Sequence, residues 1–597
     1  MKPFTLFSRL KFVHFSLVLF LLSFFLYVNT VHNEYALDDD MVISYNEYVQ
    51  QGVSGIPQIL STDIYESFYR QNNAQQQLSG GRYRPLSLVT FAIDKQLFGD
   101  DPGAKHLVNA LLYALSIVVF FFCFRRSLRL SLAVSFFSTL LFAIHPIHTE
   151  VVANIKSRDE ILSLLFYVLT IIYFLQWKDT GRKVFLLAML GVFFLALLSK
   201  EYSVTLFVIL PAVAFIFRGK NILQSLTPAI WLLLPFTVYA LLRYKVVGIG
   251  SVTQIDPLND PYLFASGIER TATSFYIILK YLGLLLFPVS LSADYSFSQI
   301  SYRSFSDPGV LLSIIIHSAL IAGTIYGLYK RKKIAIACLI YLLNLALVSN
   351  FIFSIGATMG ERLIYHSSLG FCLAVGLLFE PIFQKKTYRI KAAMAAVIVM
   401  LLAFSMYIII PRNNDWKNSD TLFIHDVDVV PNSVLANSNA AHGYIFMALE
   451  AKDGNEKRTL FEKAGGYASK ALKLHPAFTN AHINYGLILF YLGQYDSCIA
   501  HWKRAYALLP SSPQVKADAQ FLYDKGLEAA LRHHTDTAIY FIKGATEVTP
   551  LNPVYWTNLG GAYYTNHRFE EARQCWERTL QLDANDDNAK RGLRALP

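Results

Sequence analysis

Charge is scarce in this 597-residue chain: 16% of residues are Asp, Glu, Lys or Arg, whereas 54% are hydrophobic. A soluble globular domain carries about a quarter of its residues charged. The composition therefore excludes an ordinary soluble protein and fits a multi-pass membrane protein with extra soluble mass. Cysteine is sparse too. Cys123, Cys338, Cys372, Cys498 and Cys575 are scattered, with no Cys-x-x-Cys pair and no His/Cys metal spacing, which speaks against a structural zinc site. They read as small core residues, with a Cys498–Cys575 disulfide left open. No small-x-small cleavage site follows the first apolar run, 12–28, which Lys2, Arg9 and Lys11 precede. That run is expected to be an uncleaved span whose N-terminus is cytoplasmic.

What is abundant is long apolar sequence. Runs of about 20 residues, the length that crosses a bilayer, lie near 12–28, 106–124, 131–147, 160–177, 184–199, 202–217, 226–247, 268–288, 309–329, 334–355, 363–383 and 392–411. Basic clusters mark cytoplasmic ends: Arg125/Arg126/Arg129, Lys178/Arg182/Lys183, Arg218/Lys220, Lys330/Arg331/Lys332/Lys333 and Lys385/Lys386/Arg389/Lys391. Alternation satisfies them only if 268–288, with its Lys280 and Pro288, is re-entrant or interfacial rather than crossing. Eleven spans are then expected. The loop 29–105, the turns 145–159 and 200–201, the segments 248–308 and 356–362 and everything after 411 share the outer face.

After Arg412 the composition turns to Ala, Tyr, Leu and charged residues, and a repeat sets in. Tyr485-Gly486, Cys498, Trp502, Ala505 and Pro510 keep the offsets of a tetratricopeptide repeat. Lys525-Gly526 to Pro550 and Leu559-Gly560 to Thr579 repeat them. A looser first copy runs from His442-Gly443 to Pro476, with about nine extra residues between its helices. The expected organisation is a membrane domain over 1–411 and a repeat domain over 412–597. The array either offers a groove to protein segments or only braces the membrane domain, and it carries no catalytic constellation.

Ionisable residues at membrane depth are costly and mark function. On the expected outer face these are Asp38/Asp39/Asp40, Arg82 and Arg84, His145 and His148, Arg158/Asp159/Glu160, Lys200-Glu201, Asp294 and Glu361-Arg362. Each has a plain alternative: a solvated turn at Asp38–Asp40, a hydrophilic turn at Lys200-Glu201, an interfacial anchor at Arg158. His145, His148 and Glu150 have a spacing compatible with a metal, but Pro146 argues against a regular helix there. Together, carboxylates with an excess of cations suit a phosphorylated lipid: the cations bind phosphate and a carboxylate handles a proton.

Several motifs resemble those of the transmembrane and tetratricopeptide-repeat protein O-mannosyltransferases, a family with the C-type glycosyltransferase fold. They are Tyr35-Ala36-Leu37-Asp38-Asp39 through Asn46, Tyr83-Arg84-Pro85-Leu86, His145-Pro146-Ile147-His148-Thr149-Glu150, Lys200-Glu201, and Glu361-Arg362-Leu363-Ile364-Tyr365-His366 through Phe371, where Ser367 replaces a Pro of the family pattern. The tail is shorter than in animal members, and the basic, Phe-rich sequence suits a bacterial relative.

The resemblance implies an all-α polytopic bundle followed by an α-solenoid. It implies inverting transfer of a mannose-like hexose from a polyprenyl-phosphate sugar to Ser/Thr hydroxyls of a protein on the periplasmic or luminal face. The membrane is the bacterial inner membrane, or the endoplasmic reticulum in a eukaryote. In that register Asp38 or Asp39 is the base and Asp40 is an extra. Arg84, Lys200 and Arg362 meet the donor phosphate, while His145, His148, Glu150, Glu201 and Glu361 complete the donor site. No obligatory metal is expected, although a divalent cation stays open. The partners are the lipid-linked donor, a protein or peptide acceptor held by the repeats, and membrane lipid, with no nucleic acid. The alternatives are the same chemistry on a surface glycan or lipid, and a non-enzymatic transporter or scaffold. A transporter would show internal symmetry with broken midplane helices, and no such repeat is visible.

Overall fold

The computed structural model describes residues 6–71, 81–248, 257–352, 354–385 and 387–597. Lys2 and Lys386, and the side chains of Arg9 and Lys11, lie outside the described residues. The protein is all-helical, with no strand among the described residues, and divides into two compact units between Val430 and Pro431.

In the first unit six helices are long and apolar enough to cross a membrane: Phe12–His32, Pro102–Ser127, Ile155–Thr180, Leu223–Val247, Pro308–Tyr329 and Tyr388–Asp415. A helix satisfies its own backbone hydrogen bonds, the condition for residence in lipid. A seventh is a bent pair, Leu132–Ala143 with Pro146–Ala153, turned by 53°. Pro146 causes the break: its ring cannot continue the helix, and His145 before it is held extended. The shorter apolar helices are Lys183–Ser199, Glu201–Phe217 and Ile334–Leu347, with Tyr365–Leu378 after them. Large apolar side chains on these helices, among them Leu17, Phe25, Leu233, Ile315 and Met400, face outward. Such a surface is stable against lipid and a liability in water.

The helix Arg158–Thr180 runs through the middle of the unit. Its Ile161, Leu164, Tyr167 and Phe174 pack with Phe193, Leu206 and Leu369 in one continuous core. Gly181, left-handed at φ 67°, ends it and turns the chain into the next helix.

The segment expected to be re-entrant or interfacial is one continuous helix, Gly267–Leu286, opened by a Ser266/Glu269 capping box. The re-entrant alternative is thereby corrected, because no break occurs in this helix. It is not among the helices that qualify as spans.

The second unit is a solenoid of four helix pairs: Val434–Glu450 with Gly454–Leu474, Thr479–Tyr491 with Tyr495–Leu508, Pro513–Leu531 with Thr535–Val548, and Pro553–Thr565 with Phe569–Leu582. Asp587–Arg594 caps the last pair. The additional residues of the first repeat lengthen its helices, to 17 and 21 residues, instead of forming a loop. Cys498 and Cys575 are both buried and free; the other three cysteines are free as well, Cys123 and Cys372 buried and Cys338 partly exposed.

Candidate active site

The acidic turn follows the first helix. Leu37 takes φ 56°, a left-handed conformation that a bulky residue seldom adopts. Its N–H donates to Ser419 Oγ at 3.0 Å. Its side chain packs on the small cluster of Ala36, Ala153, Trp416 and Leu422, with Ala293 beside it. The turn separates three neighbouring carboxylates into three environments.

Asp39 is fully buried. Oδ1 accepts the Lys156 N–H at 2.7 Å and Oδ2 the Ala36 N–H at 3.1 Å. Burial pushes its carboxyl up to about 7, the two amide donors opposing the shift. Asp40 accepts from Ser44 Oγ at 2.8 Å, a local bond within the turn. Asp38 keeps a partly exposed side chain and meets Arg362, Nη1 to Oδ2 at 3.4 Å.

Arg362 also approaches Glu150, 3.4 Å from Oε1, and its backbone N–H donates to Glu150 Oε2 at 2.9 Å. The break at Pro146 is what points Glu150 across to Arg362. Neighbouring carboxylates hold the Arg362 guanidinium above its ordinary value.

A second group of charges surrounds Asp159, at the start of the central helix. Arg84 Nη1 stands 3.4 Å from Asp159 Oδ2, Lys156 Nζ 3.7 Å and Lys200 Nζ 3.9 Å. Arg84 also grips Glu201 Oε2 through Nε at 3.1 Å and Nη2 at 2.9 Å. Pro85 starts the following helix, so Arg84 sits at its mouth with a side chain not spent on capping. Lys200, extended between two helices, reaches Glu160 Oε1. Glu160 faces His366 Nδ1 at 3.5 Å, and the His366 ring stacks on Tyr202 at 4.0 Å. Lys156 lies within electrostatic reach of Asp38 and Arg362, which joins the two groups. Paired guanidinium and ammonium groups beside one accessible carboxylate can hold a phosphate and accept a proton.

Asp38, Glu150 and Arg362 thus meet in one group, and Arg84, Lys200 and Glu201 in the other. Three residues do other work. His145 Nδ1 accepts the Ile147 N–H, and its Nε2 meets Leu285 O at 2.9 Å. His148 bridges Tyr113 OH at 3.1 Å and Ser368 Oγ at 2.8 Å. Both histidine rings are buried in hydrogen bonds, and no group of three or more His, Cys, Asp or Glu among the described residues could hold a metal. Glu361 turns away from Arg362: its Oε1 accepts the Ser292 N–H at 2.7 Å and Tyr295 OH at 2.8 Å.

Arg158, for which an interfacial anchor was the plain alternative, is fully buried. It pairs with Asp94 at 2.6 Å and donates to Asn109 at 2.6 Å, with Phe91 beneath the guanidinium. Sequence reasoning passed over Lys156 and His366. His366 lies inside the quoted Glu361–Phe371 motif, which was the available signal; Lys156 lies in an unremarkable run.

These features define a polytopic helical membrane protein with a buried ionic site and a tetratricopeptide-repeat solenoid. A sequence-family profile described as "Protein O-mannosyl-transferase TMTC, DUF1736" matches residues 252–321, and a tetratricopeptide-repeat profile matches 553–586. The chain is similar to the mouse protein O-mannosyl-transferase TMTC3, 26% identical over 87% of this chain and 55% of that protein. It is similar to the Caenorhabditis elegans protein O-mannosyl-transferase F38B6.6, 26% identical over 71% of this chain and 59% of that protein. The Drosophila melanogaster protein O-mannosyl-transferase Tmtc3 is 28% identical over 72% of this chain and 52% of that protein. The resemblance read from the motifs therefore extends over most of the chain, which spans a little over half the length of these relatives.

Proposed function

We propose that this protein is a membrane glycosyltransferase that moves a mannose-like hexose from a polyprenyl-phosphate sugar to Ser/Thr hydroxyls of proteins, with inversion. The observation that carries the reading is the meeting of Asp38 with Arg362, beside the Arg84–Lys156–Lys200 cations. The names of the relatives support the sugar and the protein acceptor.

A Ser or Thr hydroxyl is a poor nucleophile at neutral pH. Asp38, the carboxylate of the turn that meets Arg362, takes its proton as the oxygen attacks the anomeric carbon. The C–O bond to the lipid phosphate breaks on the opposite face and the polyprenyl phosphate leaves with the electron pair. Arg362 and Arg84 neutralise its growing charge, and Lys200 and Lys156 hold Asp159 and Glu160 so that these buried carboxylates do not repel the phosphate. Asp39 fixes the turn. These cations supply the charge stabilisation, so the mechanism requires no resident metal. The site and the repeats lie on the periplasmic or luminal face, and the repeats present the acceptor segment.

Purified protein in lipid nanodiscs, given polyprenyl-phosphate mannose and Ser/Thr peptides, should yield mannosylated peptide, and Asp38→Asn should not. Glycoproteomics of a deletion strain supplies the second arm. Unchanged glycoproteins with an altered surface glycan would move the acceptor from protein to glycan. Equal transfer by wild type and Asp38→Asn would remove the mechanism.

A further inference from the structure

Two buried carboxylates take successive backbone N–H groups of one segment. Glu361 Oε1 accepts the Ser292 N–H at 2.7 Å and also Tyr295 OH at 2.8 Å. Asp426 Oδ2 accepts the Ala293 N–H at 2.6 Å, while its Oδ1 is held by Arg412 at 2.7 Å. Ser292 Oγ and Asp294 close the segment on itself, at 3.0 and 3.2 Å. Glu361 and Asp426 are almost wholly buried, so neither bond competes with bulk water.

The pinned segment has a neighbour. Ala293 packs against the cluster of Ala36, Ala153, Trp416 and Leu422 that also receives Leu37. Leu37 is the left-handed residue directly before Asp38, and such strain persists only where surrounding structure over-determines it. Ser419 supplies one restraint, and the cluster against which both Leu37 and Ala293 pack supplies another. At the other end of the same connection, Glu361 is bonded in sequence to Arg362, the partner of Asp38.

We propose that the segment Ser292–Tyr295 is a brace: pinned by Glu361 and Asp426, it holds Leu37 left-handed and thereby sets Asp38 against Arg362. Glu361 and Asp426 are then positioning residues for the transfer reaction rather than donor ligands. The inference rests on the reading of Asp38 as the base, and it gives Ser292–Tyr295 a mechanical role in that site.

The test uses the full-length protein in nanodiscs, with two readouts. Hydrogen exchange follows the amides of Leu37 and Asp39, which are bonded to Ser419 Oγ and Ala36 O. Transfer kinetics follow kcat and the donor KM. Glu361→Ala and Asp426→Ala should raise exchange of those amides about ten-fold or more, as local opening becomes easier. They should lower kcat about 100-fold, the cost of a displaced catalytic group, with donor KM within about two-fold. Glu361→Gln keeps an acceptor oxygen and should stay within about three-fold of wild type in both readouts. Unchanged exchange at Leu37 and Asp39 in both Ala variants overturns the brace. So does an equal loss in Glu361→Gln, which would point to charge. Asp38→Asn run in parallel separates the two ideas: full activity there defeats the base, while the exchange data still judge the brace.

Discussion

Arg362 Nη1 stands 3.4 Å from Asp38 Oδ2, joining two segments 324 residues apart in sequence. The same nitrogen lies 3.4 Å from Glu150. One guanidinium therefore holds the acidic turn, the broken helix after Pro146 and its own short helix at a single point. The guanidinium is thereby oriented before any ligand arrives.

The three aspartates should separate functionally. Asp38→Asn keeps the shape but removes the base, and transfer should fall about 100-fold or more. Asp40→Asn keeps an oxygen that can accept from Ser44 Oγ and should stay within about two-fold. Single-turnover transfer rates with saturating donor decide both.

Arg84 meets Glu201 through two nitrogens and Asp159 through a third. Lysine carries the charge but not the fork. Arg84→Lys should reduce kcat/KM for the lipid donor by about 10- to 100-fold, equivalent to about 1.4–2.7 kcal/mol, with the acceptor KM little changed. Steady-state kinetics against each substrate make the distinction.

Asp39 should give the fold a pH dependence. Its folded value of about 7 lies above the value of about 3.9 for an unfolded carboxyl. Between those values the folded protein binds more protons than the unfolded chain. Stability should therefore fall as pH rises from about 4 to about 7, then level off. Asp38 faces this carboxyl and reinforces the shift; Arg158 and Tyr35 also lie in range. Asp39→Asn should flatten that slope, read as thermal midpoints of the two proteins in detergent from pH 4.5 to 8.

In the solenoid, Gly486 and Gly560 lie under the indole rings of Trp502 and Trp576, and a Cβ at either would collide with the ring. Each indole also donates to a backbone carbonyl nearby, Ile483 and Thr557, at 3.1 Å. Gly486→Ala should cost about 1–3 kcal/mol, the range of overpacked cores. Urea unfolding followed by tryptophan fluorescence should show an earlier loss of Trp502 burial, with the membrane helices unaffected.

Much of this was legible in the chain. Apolar runs bounded by basic residues identify spanning helices because lipid tolerates nothing else, and the Gly/Trp/Ala offsets of the tail identify helix pairs because close packing needs small residues there. The motif residues Asp38, Arg84, Glu150, Lys200, Glu201 and Arg362 could be singled out because ionisable groups in an apolar chain are costly unless they meet one another. The contacts of His145, His148 and Glu361 were not legible. Their partners are Leu285 O, Ser368 Oγ and the Ser292 N–H, contacts that leave no trace in local sequence. Of the two alternatives for 268–288, the re-entrant one fails on the break-free helix Gly267–Leu286, because charge alternation reports which side a loop is on, not whether a helix is broken.

By itself, then, the sequence determined the class of the molecule and the identity of its ionic residues, through hydropathy, repeat spacing and the expense of charge in lipid. Only the tertiary structure decided which of two adjacent aspartates is available. Asp39 is buried, with the Lys156 and Ala36 amides converging on it, and Asp38 is left partly exposed to meet Arg362 where Leu37 is turned left-handed against Ser419 and Trp416. Two identical side chains one residue apart differ only in what folds over them.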